Sequence, residues 1–140
     1  MKPWVTYALI SMVFAGCTSV IAKLGLSGIS SELGLTVRTC FVFGFVLCFA
    51  ALVVPSGAWA GLTRTHYMWL GLSGLTTAIS WIFYYKAIQQ GEVSTVALID
   101  KASILVALLL AALILKEQIT LRTLCGAACM ITGLIIIARK

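Results

Sequence analysis

Asp100 and Lys101 stand side by side inside a long apolar run, residues 93–115. A charge sunk into hydrocarbon is costly. It persists where it is paired or faces a water-filled path, and such residues commonly bind or conduct charged solutes. The two lie seven and eight residues into the run, which on a helix is roughly 10 Å below the boundary. Neighbours on a helix point about 100° apart, so each is expected to seek a partner on another helix rather than the other. Three cations fall on the same side: Lys23, Arg38 and Lys86. Arg38 or Lys86 against Asp100 would tie three helices together. Alternatively, Lys23, Arg38, Lys86 and Lys101 against the single carboxylate of Asp100 leave a local excess of three positive charges, which favours an anionic or zwitterionic solute. Lys23 and Lys86 have stems long enough to reach lipid headgroups instead. Trp81, Tyr84 and Tyr85 stand beside Lys86. Their rings suit either a solute path or an interfacial anchor. Trp81 is the deepest, and so the first choice for the path.

These residues need rigid elements to hold them. The pattern predicts five spans at about residues 4–24, 35–54, 67–88, 93–115 and 121–138. A turn-rich stretch, Gly25 to Gly34, separates the first two, and Pro55 stops the second. The longest connection, Pro55 to His66, is read as a loop. Lipid offers no partners to backbone amides, so long runs that are apolar all round must be helices. A membrane β-barrel would alternate polarity over shorter segments. Trp4, Tyr67, Trp69, Tyr84 and Tyr85 lie near segment ends, where aromatic belts sit. Thr120 is placed to cap the last helix, with Glu117 just ahead of it.

Composition closes off other classes. The chain has 140 residues, 61% hydrophobic and 10% charged, with a mean hydropathy of +1.10. A soluble domain is about 25% charged. Five spans of roughly 20 residues use about 100, leaving no room for an aqueous domain. The net charge of +6 comes from residues scattered at segment ends, which fits headgroups and topology rather than nucleic acid. The start, Met1-Lys2-Pro3 before a long apolar run, is read as a retained first span and not a cleaved signal.

All five cysteines, Cys17, Cys40, Cys48, Cys125 and Cys129, fall inside apolar runs. They are expected to act as small buried residues, not as a disulfide framework. Cys125 and Cys129 are one turn apart, but no His or third thiol is placed near them, so no metal is expected. Cys125, Gly126, Cys129 and Gly133 make a small-residue stripe that suits a close helix contact between copies. Ala8, Ser11, Ala15, Thr18 and Ala22 repeat that spacing on the first span. No phosphate loop, serine nucleophile motif or metal cluster is present, and His66 is alone. No enzyme activity and no cofactor are expected.

Five spans put the termini on opposite sides. The N-terminal side carries Lys2, Arg64, Lys116 and Arg122; the other carries Lys23, Arg38, Lys86, Arg139 and Lys140. Four against five leaves the positive-inside rule nothing to choose by, so insertion in both orientations is one reading of this balance.

Several segments resemble an EamA-type domain of the drug/metabolite transporter superfamily. They are Phe14-Ala-Gly-Cys-Thr-Ser-Val-Ile-Ala-Lys-Leu-Gly-Leu26, Val37-Arg38-Thr39, Leu72 to Trp81, Tyr84 to Ile88, Gly91 to Ser103, and Leu115-Lys-Glu-Gln-Ile-Thr120 with Gly126 and Gly133. Asp100-Lys101 and the Glu117 turn are the most specific. The resemblance covers essentially the whole chain. It implies an all-α polytopic bundle of the inner membrane of a prokaryote, one half of an inverted-repeat fold of ten helices. It implies a small-solute transporter working as a pair of five-helix units, a homodimer or a pair with a related chain. The alternative is a non-transporting membrane subunit that pairs with an oppositely oriented chain. The length is also similar to that of the small multidrug resistance proteins, but the first span has no acid. Their proton-for-cation exchange therefore does not carry over.

Overall fold

A computed structural model describes residues 3–138. Every regular element is helical among the described residues: α1 (Pro3–Gly25), α2 (Ser31–Val53), a short 3-10 helix (Ser56–Gly61), α3 (Arg64–Gln90), α4 (Val93–Lys101), α5 (Ser103–Ile114) and α6 (Leu121–Ala138). Lys2, Arg139 and Lys140, which enter the charge count across the membrane, lie outside the described residues.

Three segments are long and apolar enough to cross a bilayer: Pro3–Gly25, Ser31–Val53 and Val93–Ile114. This is an integral membrane protein. α3 has the length, at 27 residues, but carries Lys86, Gln89, Gln90 and several hydroxyls, which lower its hydropathy. α6 is apolar but shorter, at 18 residues.

Local chemistry sets the helix ends. The Ser30 hydroxyl accepts from the Leu33 amide at 3.3 Å and starts α2. Pro55 forces the preceding Val54 into an extended conformation, φ −89° and ψ 115°, and so ends it. The Thr120 hydroxyl accepts from the Thr123 amide at 3.3 Å, the expected cap of α6. His66 belongs to the first turn of α3 rather than to a loop. Its Nδ1 accepts from the Thr63 amide at 3.2 Å, tying down the start of the helix. Ahead of it, the predicted loop contains the 3-10 helix Ser56–Gly61.

The chain divides into two compact units, Val20–Gln90 and Met1–Ser19 with Gly91–Lys140. In the first, α2 packs along α3. Its best-buried residues gather at one end: Leu26, Ser31, Tyr85 and Ile88. The turn after α1 enters this knot with Gly28 at φ 77°, a left-handed conformation that glycine adopts without strain. Leu26 lies so close over Gly34 that a β-carbon there would meet its Cδ2. Gln89 Nε2 donates to the Ile29 carbonyl at 2.8 Å and closes the knot.

In the second unit the run read as one span is long and apolar enough over Val93–Ile114 to cross a bilayer, and it carries one tightened turn at Ala102. α4 ends at Lys101 and α5 begins at Ser103. Ala102 donates to the Ile99 carbonyl at 2.9 Å, and Leu105 donates to the Ala102 carbonyl at 2.9 Å. The backbone therefore tightens to i→i+3 bonds for one turn. Neither proline nor glycine stands between residues 93 and 114; the charged pair and Ser103 flank the turn. Beyond α5, Lys116 sits at φ 54°, which turns the chain so that the Glu117 amide donates back to the Ala111 carbonyl at 3.2 Å.

Most remaining side chains are exposed on this single chain, as hydrocarbon-facing helices require. The five cysteines are free and exposed, not buried as their apolar surroundings suggested. Cys125 and Cys129 are therefore available to lipid or to another helix. Among the described residues no group of three His, Cys, Asp or Glu gathers in metal-binding fashion.

Candidate functional site

In the unit Val20–Gln90 the candidate residues on α1, α2 and α3 resolve into separate partnerships. Lys23 Nζ donates to the Ile88 carbonyl at 2.5 Å and to the Gln89 carbonyl at 3.2 Å. It thus binds the carbonyls that the end of α3 leaves unmet, where a cation also complements the helix dipole. Lys86 Nζ lies 3.4 Å from Glu32 Oε1. The carboxylate of Glu32 also accepts from the Ser31 hydroxyl at 3.1 Å. Glu32 was absent from the expected pairings. Its place in the first turn of an apolar run was the available signal, because an acid is favoured there and stands within reach of a neighbouring helix end.

Arg38 is held differently. Its guanidinium carbon lies 4.2 Å from the centroid of the Trp81 ring and 5.8 Å from that of Tyr85. Among the described residues, no carboxylate lies at ion-pair distance from it. Its Nη1 is buried and has no hydrogen-bond partner. Tyr85 is 4% exposed, so this ring is a core residue and not a belt residue. Tyr84 meets it edge-on with centroids 6.5 Å apart. Trp81 is half-buried.

Trp81 also lines a cavity of about 720 Å³ between α2 and α3. α2 contributes Leu35, Thr36, Thr39 and Cys40; α3 contributes Leu70, Ser73, Gly74, Thr77, Ala78 and Ile82 beside Trp81. These positions repeat at three and four residues, one face of each helix. The lining is apolar in effect. Thr36, Thr39 and Thr77 each donate the hydroxyl proton to the carbonyl four residues earlier, at 2.8 Å. Their protons are spent within their own helices, as apolar surroundings demand.

In the other unit, Lys101 Nζ lies 3.7 Å from Asp100 Oδ2. Both residues belong to α4, and the flexible lysine stem lets the ammonium reach its neighbour although the two side chains leave the helix about 100° apart. The contact is long and partly exposed, so it is a loose pairing.

Taken with the apolar spans, this arrangement shows a helical membrane chain with a charged, tightened turn in one span and a cavity beside a cation in another unit. Against known proteins, a family model described as the EamA-like transporter family matches residues 2–139. The chain belongs to the EamA-like transporter family. A relative from a Sinorhizobium species, described as an uncharacterized transporter in the cobO 3′ region, is 34% identical over 140 residues, covering 98% of this chain and 97% of that protein. No solved structure matches. As an EamA-like chain, the protein matches its family through both units. Arg38, Trp81 and the Tyr84–Lys86 stretch fall in one; Asp100, Lys101 and the Glu117 turn fall in the other.

Proposed function

We propose that this chain is a small-solute transporter of a prokaryotic inner membrane. It would act as a pair of five-helix units, either two copies inserted in opposite orientations or one copy with a related chain. The five helices are α1, α2, α3, the span α4–α5, and α6. Each pair would supply the ten helices of an inverted-repeat fold, and rocking of one unit against the other would alternate access to a site near the midplane. The solute path would use Asp100, Lys101, Lys86, Arg38, Lys23, Trp81, Tyr84 and Tyr85, and the Cys125, Gly126, Cys129 and Gly133 face of α6 would contact the second unit. No covalent chemistry is part of this reading.

One observation carries it. The apolar span Val93–Ile114 tightens to i→i+3 bonds at Ala102, directly after its two charged residues. The turn keeps its backbone groups paired, as hydrocarbon demands, and a short 3-10 stretch inside a helix often marks a functional hinge. Transporters place solute and ion sites at such local irregularities of their spans. Membership of a transporter family supports the same reading.

The near-even basic charge supports the paired assembly, and dual-reporter fusions at Met1 and Lys140 test it. Insertion of identical copies in both orientations places each tag on both faces of the membrane. A single fixed orientation excludes the self-paired transporter and favours the non-transporting subunit with an oppositely oriented partner. Both termini on one face would refute five spans. For the path itself, Asp100→Asn is expected to abolish flux in proteoliposomes while the chain stays folded and inserted.

A further inference from the structure

Four cations were candidates for a charged solute, and the structure separates them. Lys23 is on the carbonyls of Ile88 and Gln89, and Lys86 is on Glu32. Lys101 has Asp100 beside it. Arg38 has two aromatic rings and no carboxylate, and its Nη1 is buried without an acceptor. A guanidinium is always charged, and a buried N–H without a partner is costly. Resting on the face of Trp81 compensates part of that cost but supplies no hydrogen-bond acceptor. Trp81 is also a lining residue of the α2–α3 cavity. At about 720 Å³ the cavity falls in the range of small-molecule sites, roughly 300–1,000 Å³. Its threonine protons are already donated to backbone carbonyls, so the cavity wall suits a hydrocarbon or aromatic body and not a sugar or a peptide.

We propose that this site binds a small amphipathic anion: Arg38 holds its carboxylate or phosphate group, while its apolar body lies in the α2–α3 cavity against Trp81. The assignment rests on the transporter reading for its physiological meaning, and it names the solute class that reading leaves open. The charge argument commits it to one occupant. A cation would meet Arg38 with no paired carboxylate to offset the repulsion. A neutral apolar molecule would leave Nη1 as unmet as before. The anion supplies the missing acceptor, and a planar guanidinium can hold it with two parallel hydrogen bonds. The Arg38 guanidinium carbon lies 4.2 Å from the Trp81 ring centroid, so an anion that engages the guanidinium changes the surroundings of that indole.

The experiment uses the full chain in nanodiscs of phosphatidylcholine, with octanoate as the probe and tryptophan fluorescence and calorimetry as readouts. Octanoate is expected to bind and to change the fluorescence. Trp81→Phe is expected to lose most of that optical change while calorimetry still records binding. Arg38→Gln is expected to weaken binding by about tenfold or more, and Arg38→Lys, which keeps the charge but not the fork, by less. Circular dichroism of each variant reports whether the helices are retained; should Arg38→Gln fail to fold, the Arg38→Lys and Trp81→Phe pair still decides. Equal affinity in Arg38→Gln, or displacement of octanoate by octyltrimethylammonium at the same site, overturns the assignment and leaves the transporter reading intact. If one phosphatidylglycerol per chain abolishes octanoate binding, the occupant is a lipid headgroup, and the proposal is overturned in that direction. Arg38-dependent binding without octanoate flux in proteoliposomes supports the site and overturns the transport reading instead.

Discussion

The guanidinium carbon of Arg38 lies over the Trp81 ring, 4.2 Å from its centroid. This joins α2 to α3, as the Glu32–Lys86 pair does nearer the end of α3. Cation–π contacts are worth about 0.5–2 kcal/mol, with the larger values where water is excluded. A double-mutant cycle on Arg38→Met and Trp81→Leu, read by reversible unfolding in mixed micelles, is expected to show coupling in that range. Additive single effects would mean that the contact contributes nothing.

Lys23 connects the end of α1 to the last turn of α3 through the carbonyls of Ile88 and Gln89. Lys23→Met keeps the apolar stem and removes the donor. It is expected to cost about 1–2 kcal/mol, because the carbonyls lose a charged partner. The loss should appear locally, as faster hydrogen exchange of the amides at residues 86–90. Unchanged protection there would show that water replaces the ammonium without cost.

Gly34 has no room for a side chain, since a β-carbon would meet the Leu26 side chain that covers it. Gly34→Leu is expected to expel Leu26 from its buried position and to destabilise the unit by about 1–3 kcal/mol, the usual cost of overpacking. Gly34→Ala should cost less, because the Cδ2 end of Leu26 can rotate away. Thermal unfolding of the two variants, compared with the wild type, checks the order.

Lys116 adopts a left-handed conformation at φ 54°. An L-residue pays roughly 1–2 kcal/mol for it, and glycine does not. Lys116→Gly is therefore expected to raise stability by up to about 1 kcal/mol after the loss of a cation near the end of α5 is counted. Lys116→Val should lower it, because a branched β-carbon fits this region worst. A Val variant as stable as the wild type would place the turn in another conformation.

The hydrocarbon character of the chain, its helices and the ends capped by Thr120 or stopped by Pro55 were legible in the residues alone. They depend on local causes: an apolar run in lipid must satisfy its own amides, and a proline constrains the residue before it. The resemblance to the family was legible as well, and the family match covers residues 2–139. The candidate residues were legible too, as charged and aromatic groups in the wrong solvent. Their partners were not. Glu32 with Lys86, Lys23 with two carbonyls, and Arg38 with Trp81 each join positions more than thirty residues apart, and sequence spacing says nothing about which helix faces which. The tightened turn at Ala102 also escaped, because no proline or glycine marks it. Only the packed chain decided which of four similar cations was left without a carboxylate, and it decided this through geometry: an ion pair needs its partner within about 4 Å, and that distance is a property of the fold.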